Sequence, residues 1–250
     1  MRGTTVQAVT FDYWNTLCCE PPGGYLRGRR LEAMGNVLRD AGVGDAGSEL
    51  AAAYDTAWLT YVESWQANRQ YTGRHAARHV VDHVEAVYGL GPGLRRPLYD
   101  AFAAVSDAEQ AELVLIDGVA DALGALRDLG IPLAIVCDVG FTASPVLRRH
   151  LERHGLLACF DHWAFSDEVG VYKPDRRLFE HALAGLGSPE PSRCAHVGDR
   201  RRTDMAGAAA LGMRAVRLTT VFDDDDLDQG PSGDVVLSSY RELLPALGLA

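Results

Sequence analysis

The sequence predicts an α/β fold, a doubly wound parallel sheet whose chain is interrupted once by an all-helical insert. Short apolar runs rich in β-branched residues recur after residue 115, and a segment with helical periodicity follows most of them. This alternation is typical of βαβ units and a parallel sheet. A similar apolar run stands at residues 6–11, whereas residues 25–115 show helical periodicity alone. The first strand is therefore expected to be separated from the rest of the sheet by the insert.

The first predicted strand, at residues 6–11, ends at a carboxylate, Asp12. Ligands of open parallel sheets bind in the crevice outside the carboxyl ends of the strands, so an acid at this point is a candidate for chemistry. Taken alone, an Asp after a strand is more typical of an ordinary turn. The interpretation of Asp12 therefore depends on the residues at the other strand ends.

Four helices are predicted in the insert, after a loop at residues 18–24 that is marked by its proline and glycine content. The spacing of apolar residues places these helices at residues 25–40, 48–68, 73–88 and 92–105. The second helix carries an aromatic stripe, which we interpret as packing between helices rather than as the lining of a binding site. Its members are Tyr54, Trp58, Tyr61 and Trp65.

Helices and strands alternate from the end of the insert to the C-terminus. The predicted elements are helix 119–129, strand 131–137, helix 144–154, strand 160–165, helix 175–186, strand 194–197, helix 203–211, strands 214–218 and 235–237, and helix 240–247. We therefore assign residues 1–17 and 116–250 to a Rossmann-like core and residues 18–115 to a helical domain.

Composition limits the classes of partner. The net charge of -10, from 24 Lys and Arg against 34 Asp and Glu, argues against a nucleic-acid-binding protein, which would carry a basic face. The acidic run at residues 223–226 is interpreted as solvated surface rather than as a metal site. The five cysteines are odd in number and lack metal-type spacing, which predicts a reduced, cytoplasmic protein.

The start of the chain runs directly into the first strand, so we expect no signal peptide. Apolar runs stay well below the roughly 18 residues that span a bilayer, so we expect no membrane partner. The expected protein is a monomer or a homodimer that acts on a small molecule.

Three strand ends after the insert also carry polar residues. Cys137 and Asp138 close one strand, Lys173 stands beside a proline ahead of a helix, and Asp199 and Asp204 follow another strand. Taken singly, the lysine is compatible with a surface position and each acid with a turn. Because the carboxyl ends of parallel strands lie at one edge of the sheet, we expect these residues to converge.

Asp12, Asp199 and Asp204 would together form a cluster of three carboxylates. Such a cluster raises the pKa of its members by mutual repulsion unless a cation lies among them. An all-oxygen site with open positions suits Mg²⁺, which usually keeps waters and takes a phosphate oxygen of the substrate. Lys173 adds a positive charge that can offset the charge of a transferring phosphoryl group. The pattern favours Mg²⁺-assisted chemistry on a phosphorylated substrate.

The motifs resemble those of the haloacid dehalogenase-like hydrolase superfamily. The stretch FDYWNTL at residues 11–17 resembles the first motif of this superfamily, and residues 168–175 with Lys173 resemble the third. Residues 198–204, followed by Met-Ala-Gly-Ala, resemble the fourth. The insert stands directly after the first motif, where many members of the superfamily carry a helical cap. The resemblance thus extends over the whole predicted core.

The resemblance implies covalent catalysis by an aspartate. Asp12 would attack phosphorus and form an aspartyl-phosphate, which water then hydrolyses. Mg²⁺ would be held by the side chain of Asp12, the backbone carbonyl of Trp14, and Asp199 with or through Asp204. A small phosphorylated molecule is the implied substrate.

Two residues have supporting roles by the same resemblance. Lys173 would orient Asp12 and offset charge, and Thr16 would hold the turn after the nucleophile by hydrogen bonding to the backbone. The cap would close over the site, exclude water and select the substrate.

Two positions depart from the superfamily's pattern. Trp14 occupies the place of the second aspartate, which in most phosphatases of this type protonates the leaving group and later activates water. Cys137 stands where a Ser or Thr hydroxyl normally binds the phosphoryl oxygen, and Asp138 where Asn is frequent. A thiol is a poor hydrogen-bond donor. Trp14, Cys137 and Asp138 are thus the expected substrate-binding positions, with Thr142 or Ser144 as possible sources of the missing hydroxyl.

Three functions fit these residues. The first is an Mg²⁺-dependent phosphatase that prefers a reactive ester or an acyl phosphate, because Trp14 cannot protonate a poor leaving group. The second is a 2-haloacid dehalogenase with Asp12 as nucleophile and no metal, since members with that activity also carry an aromatic residue at this place. The third is a catalytically degenerate protein that binds a phosphorylated ligand. The pair Asp199 and Asp204 favours the phosphatase, because it has a clear purpose only with a cation.

Overall fold

The computed structural model describes residues 6–106, 112–223 and 230–249. The chain divides into two compact units, a sheet unit and a helical unit. The sheet unit comprises Met1–Cys19, Val114–Asp138 and Leu151–Ala250, and the helical unit comprises Glu20–Leu113 and Val139–His150.

The sheet unit contains a six-stranded sheet in which all neighbouring strands are parallel, with the order β5-β4-β1-β6-β7-β8. This architecture confirms the predicted fold class. Over the described residues, the strands of the chain are β1 (Ala8–Phe11), β2 (Cys18–Cys19), β3 (Val114–Leu115), β4 (Leu133–Cys137), β5 (His162–Phe165), β6 (Cys194–Gly198), β7 (Arg214–Leu218) and β8 (Val235–Leu237).

Strand β1 lies between β4 and β6, and each of its residues is buried. Val9 pairs in register with Leu133 on one side and with Ala195 on the other. Burial on both faces explains why this strand reads as an almost continuous apolar run. Just beyond it, the backbone N–H of Asp12 donates to the carbonyl of Val197 at 2.8 Å, so the acid is fixed beside the end of β6.

Strands β2 and β3 form a separate antiparallel pair, in which Cys18 pairs with Leu115 and Cys19 with Val114. The segment predicted as a loop, residues 18–24, thus contains one strand of a pair that the sequence does not predict. Two residues per strand are too few for a period-two pattern to appear in a sequence.

The described residues contain ten α-helices, numbered in chain order. They are α1 (Tyr25–Asp40), α2 (Gly47–Gln66), α3 (Gly73–Tyr88), α4 (Arg95–Ala104), α5 (Val119–Asp128), α6 (Ser144–Arg153), α7 (Ser166–Val169), α8 (Arg176–Gly185), α9 (Ala206–Ala210) and α10 (Leu243–Leu247).

Four helical segments differ from the prediction, two of them only because a 3₁₀ turn, Pro92–Leu94 or Tyr240–Glu242, forms the start of the predicted helix. The one-turn helix α7 was missed, because four residues are too short for helical periodicity to show. The predicted helix 203–211 consists of a π-helical turn, Arg201–Met205, followed by α9. The wider turn has no signature in apolar spacing, although such turns occur frequently at functional sites.

The helical unit has an aromatic centre around Phe141. The Phe141 ring lies 5.7 Å from Tyr54, 5.5 Å from Trp58, 5.6 Å from Tyr61 and 6.1 Å from Phe102, measured between ring centroids. Of the four aromatic residues predicted to pack between helices, Tyr54 does so against Phe102 of α4, while Trp58 and Tyr61 contact Phe141 in the turn before α6. Phe141 also explains why Val139–His150 groups with the helices, although the sequence analysis assigned this segment to the core.

The predicted division into 1–17 with 116–250 and 18–115 stays a prediction, as does the role of the helical unit as a cap. Residues 224–226 of the acidic run lie outside the described residues. Within the ranges that the structure does describe, no helix is both long and apolar enough to cross a membrane.

Gly73→Ala should destabilise the protein, because a Cβ at Gly73 would lie 2.1 Å from the carbonyl oxygen of Phe141. Overpacking of this kind costs about 1–3 kcal/mol of unfolding free energy. Gly28→Ala is the matched control, since it lies in α1 with no atom within 4 Å of the added Cβ. It should stabilise the protein by about 0.5–1 kcal/mol. Urea denaturation measures both values, and a Gly73→Ala variant as stable as the wild type would contradict the close approach.

Candidate active site

The structure brings three predicted acids together at the carboxyl edge of the sheet. Asp12 follows β1, Asp199 follows β6, and Asp204 lies in the π-helical turn. All three are buried, and they offer carboxylate oxygens within 4.8 Å of one another. The order of the strands explains this convergence, because β1 and β6 are neighbours and their carboxyl ends point the same way.

The turn after β6 aims Asp204 back at the sheet. In this turn, the backbone N–H groups of Asp204 and Met205 both donate to the carbonyl of Arg200, at 3.0 and 3.1 Å. The Arg200 N–H donates to Asp204 Oδ2 at 3.0 Å. Gly198 leaves the necessary space, since a Cβ there would lie 2.4 Å from Asp204 Cγ. A side chain at Gly198 would therefore displace the carboxylate.

Lys173 lies between two of the acids. Its ammonium group donates to Asp12 Oδ1 and, at 2.6 Å, to Asp204 Oδ1. Its backbone N–H donates to Asp138 Oδ1 at 3.0 Å, so Asp138 holds the segment that carries the lysine. Lys173 is also the only lysine of the sequence, the other cationic side chains being arginines and histidines. That composition is a signal that could have singled it out.

The pKa values of the three acids show how their charges are stabilised to different degrees. Burial raises the pKa of Asp12 to about 6, with Lys173 opposing and Asp204 adding to this shift. Burial, then Asp12 and Asp204, raise the pKa of Asp199 well above its usual range. Burial alone would also raise the pKa of Asp204, but Lys173 and His196 outweigh it and lower that pKa. One lysine thus stabilises only part of the negative charge.

The donor set fits a hard divalent cation. Three buried carboxylates lie together, and Lys173 contacts Asp12 and Asp204. For Asp199, burial and the neighbouring acids outweigh the opposing effects of Arg200 and Lys173, so its ionised form is disfavoured. A divalent cation among these oxygens would remove that penalty, and all-oxygen donors are those that Mg²⁺ prefers.

Asn15 is a site residue that the sequence analysis missed. Its Nδ2 donates to Asp199 Oδ2 at 3.2 Å, and its backbone has a φ of 57°, in the left-handed region. Asn and Gly are the residues that tolerate this conformation best. An Asn three residues after a candidate acid, in the predicted turn, was the signal available in the sequence.

Thr16 makes a different contact from the predicted one. Its hydroxyl donates to Asp12 Oδ2 at 3.5 Å rather than to the backbone. Backbone bonds close the turn without it, from the N–H groups of Leu17 and Cys18 to the carbonyl of Tyr13 at 2.8 and 3.1 Å. Because the backbone is already paired, the hydroxyl of Thr16 faces the carboxylate of Asp12.

His196 and Thr10 were also missed. His196 lies in β6 with its Nε2 3.0 Å from Asp204 Oδ1 and its Nδ1 2.8 Å from the hydroxyl oxygen of Thr10 in β1. Both residues are fully buried. Their signal in the sequence was a polar residue inside a run that is otherwise apolar, which in a buried strand requires a hydrogen-bonding partner.

Cys137 and Trp14 occupy two positions of the predicted substrate site. Cys137 ends β4 and is fully buried, and burial followed by the nearby Asp12 raises the pKa of its thiol well above the usual range. The group is therefore a neutral thiol and a weak donor.

Trp14 is half-buried, with its ring in edge contact with Tyr13 at 5.2 Å. Thr142, one alternative source of a hydroxyl, donates to Ser106 Oγ at 3.3 Å within the helical unit.

Residues 6–212 match the haloacid dehalogenase-like hydrolase family, and the chain belongs to this family. The parallel sheet, the aspartate that follows β1 and the acidic edge agree with that membership.

Two of the relatives are named as a 5'-nucleotidase and a 5-phosphatase. The chain is 37% identical to the pyrimidine 5'-nucleotidase YjjG of Escherichia coli (strain K12) over 128 residues, which is 51% of this chain and 54% of that protein. It is 30% identical over 236 residues to the ribulose-1,5-bisphosphate 5-phosphatase of Halopiger xanaduensis, covering 91% of this chain and 89% of that protein.

The fold is similar to the crystal structure of a 2-haloacid dehalogenase from Pseudomonas syringae pv. Tomato DC3000. The TM-score is 0.68, and the match covers 97% of each chain at 21% identity. A likeness at this identity describes the fold and not the reaction.

Lys173 should resist acylation in the folded protein. Its side chain is 3% exposed and its ammonium group is paired with two carboxylates, which raise its pKa although burial alone would lower it. An amine-reactive ester should acylate Lys173 at least ~100-fold more slowly than the α-amino group. The reason is that the side chain of Lys173 is shielded from the reagent and its unprotonated form is rare.

Intact mass and peptide mapping measure the two sites separately, without interference from other lysines. The control is the same reaction in urea, where both amines should react. Equal labelling of both amines in the folded protein would contradict the buried ion pairs.

Proposed function

We propose that this chain is an Mg²⁺-dependent phosphatase of small organophosphates that works through an aspartyl-phosphate on Asp12. The observation that carries the proposal is the cluster of three buried carboxylates, Asp12, Asp199 and Asp204, of which Lys173 contacts Asp12 and Asp204. A dehalogenase needs no such cluster, whereas a phosphatase uses it to hold a divalent cation against the substrate phosphate. The names of the two relatives, a 5'-nucleotidase and a 5-phosphatase, support the same class of substrate.

The side chains of Asp12, Asp199 and Asp204, with the backbone carbonyl of Trp14, would hold the Mg²⁺ ion. When bound, the ion supplies charge neutralisation and polarises the phosphoryl oxygens. The chain's own residues perform the remaining tasks.

Asp12 is the nucleophile of the proposed reaction. One carboxylate oxygen forms a bond to phosphorus, and the bond from phosphorus to the leaving oxygen breaks with its electron pair on that oxygen. Water then attacks phosphorus, the bond to Asp12 breaks, and inorganic phosphate leaves with the carboxylate restored. Lys173 holds Oδ1 and Thr16 lies 3.5 Å from Oδ2, so the carboxylate is oriented at both oxygens.

Trp14 defines the preferred leaving group. An indole cannot donate a proton to a departing alkoxide, and general acid catalysis is worth ~10²–10⁴-fold in rate. We therefore propose acyl phosphates and reactive esters as the favoured substrates, because their leaving groups need no protonation.

Two other functions are each supported by a specific observation. The aromatic Trp14 is compatible with a metal-free 2-haloacid dehalogenase, in which the leaving halide needs no proton. Trp14 and the buried thiol of Cys137 together are compatible with a degenerate binding protein.

For each of these functions, the proposed partner is a small molecule and the protein is a monomer or a homodimer. None of the five cysteines, all in described segments, forms a disulfide, which supports a cytoplasmic location.

Three substrates separate the readings. Purified protein should release phosphate from acetyl phosphate and, more slowly, from p-nitrophenyl phosphate in Mg²⁺, and chelation should abolish both activities. No chloride should appear from 2-chloropropionate. Chloride release that persists in chelator would overturn the phosphatase proposal, and a folded protein that binds Mg²⁺ without any turnover would favour the degenerate one.

Asp12→Asn should lower turnover at least ~10³-fold, because an amide cannot replace the carboxylate as nucleophile. Asp100→Asn is the control, since Asp100 is exposed and pairs only with its helix neighbour Arg96 at 2.7 Å among the described residues. Phosphate release measures both variants, with circular dichroism as the check on folding. An Asp12→Asn enzyme close to the wild-type rate would remove Asp12 from this role.

Trp14→Asp should raise the hydrolysis of alkyl phosphates by ~10²-fold while changing acetyl phosphate hydrolysis little, because only the alkoxide needs a general acid. Trp14→Phe serves as the control that removes the indole without adding an acid. The ratio of kcat values on the two substrates is the measurement. If Trp14→Asp shifts both substrates by the same factor, a missing acid is not what limits the enzyme.

A further inference from the structure

We propose that Asn15 is a positioning residue whose side-chain amide holds Asp199 in the orientation that binds the divalent cation. The amide joins two segments of the sheet unit, since its Nδ2 donates to Asp199 Oδ2 at 3.2 Å across 184 positions of the chain. Both segments supply ligands of the proposed Mg²⁺ ion, the backbone carbonyl of Trp14 in one and the carboxylate of Asp199 in the other. The metal part of this inference rests on the proposed function, whereas the contact between the two side chains does not.

The backbone at Asn15 does not by itself require an asparagine. Its φ of 57° lies in the left-handed region, where glycine has no steric cost and asparagine is tolerated. Among the described residues, glycine takes most of the positions with a positive φ. A glycine would therefore complete this turn equally well. The contact with Asp199 gives the side chain at position 15 a task that glycine could not perform.

The turn that carries Asn15 is held by its own hydrogen bonds. The N–H of Asn15 donates to the carbonyl of Cys18 at 2.8 Å. Tyr240, a residue of the turn before α10, donates from its buried hydroxyl to the carbonyl of Thr16 at 2.9 Å. An amide on such a fixed turn can orient a carboxylate effectively, because little conformational freedom is lost when the contact forms.

An amide suits this position because it is a donor without charge. Lys173 contacts the other two acids, Asp12 and Asp204. A charged donor bound to Asp199 would compete with a metal ion for the negative charge of that carboxylate. A neutral N–H group orients one carboxylate oxygen and leaves the charge for the cation. Partners that orient metal ligands in this way typically change metal affinity by about 10- to 100-fold.

Side-chain NMR in chelator tests the contact without any metal. The sequence contains three asparagines, Asn15, Asn36 and Asn68, so protein labelled with ¹⁵N in its asparagine side chains gives three NH₂ signals. Asn36 and Asn68 are exposed, and the Asn15 signal is the one that remains in both the Asn36→Ala and the Asn68→Gly proteins.

The Asn15 amide should exchange its protons with solvent at least ~10-fold more slowly than the exposed amide of Asn36, because it is bonded to a buried acceptor. Equal exchange rates for these two amides would overturn the contact on which the inference depends. The measurement uses the wild type and two surface variants, so it does not depend on the folding of any variant of the site.

Asn15→Gly tests the consequence for the cation, because it removes the amide and keeps a residue that adopts the left-handed backbone without strain. The Kd for Mg²⁺, measured by calorimetry, should rise ~10- to 100-fold. The Mg²⁺ concentration that gives half of the maximal phosphate release should rise with it. Circular dichroism checks that the variant is folded.

Asn68→Gly is the matched control. Asn68 has a φ of 52°, so the same substitution is made in the same backbone region, and it follows α2 in the helical unit. The variant should bind Mg²⁺ with the Kd of the wild type. An equal loss of affinity in both variants would overturn the inference, since the effect would then not depend on the amide beside Asp199.

The outcomes distinguish this inference from the proposed function. A folded Asn15→Gly protein with the Mg²⁺ affinity of the wild type would overturn the positioning role, whichever phosphates the enzyme hydrolyses. A wild type that binds no Mg²⁺ would overturn the proposed function together with the metal part of this inference. The exchange rate of the Asn15 amide would then still decide whether Asn15 holds Asp199.

Discussion

The contact on which the rest of the site depends is the ammonium group of Lys173 between the carboxylates of Asp12 and Asp204. Buried charges are costly unless they are paired, and removing one partner of such a pair typically costs about 3–5 kcal/mol. The neighbouring structure therefore serves to keep this contact in place. Asp138 holds the backbone of the lysine, Gly198 leaves space for Asp204, and the π-helical turn aims that acid at the sheet.

The third acid is held differently. Asp199 accepts a hydrogen bond from Asn15, and burial with its acidic neighbours raises its pKa against the opposing effects of Arg200 and Lys173. Under the proposed function, a divalent cation at these three carboxylates would relieve the cost of their burial and hold an anionic substrate.

Much of the fold could be predicted from the sequence, because local patterns decide it. Buried strands appear as apolar runs, and amphipathic helices appear through their spacing, so the strands of the sheet and the helices of the insert were predicted close to their observed bounds. The elements that were missed, such as Ser166–Val169 and the pair Cys18–Cys19 with Val114–Leu115, are too short to show a period. The segment around Phe141 was assigned to the core, because only its packing against distant aromatic residues reveals its unit.

For the site, the sequence by itself determined which residue types stand at the strand ends, and hence the convergence of Asp12, Lys173, Asp199 and Asp204 at one edge. The tertiary structure alone decided how their charges are shared. In the folded chain, Lys173 contacts Asp12 and Asp204. Asn15 donates a hydrogen bond to Asp199. His196 contacts Asp204 with one ring nitrogen and Thr10 with the other. The physical reason is that hydrogen bonds between neighbouring parallel strands join residues nearly 190 positions apart, 186 for Thr10 and His196, and a linear pattern carries no record of that register.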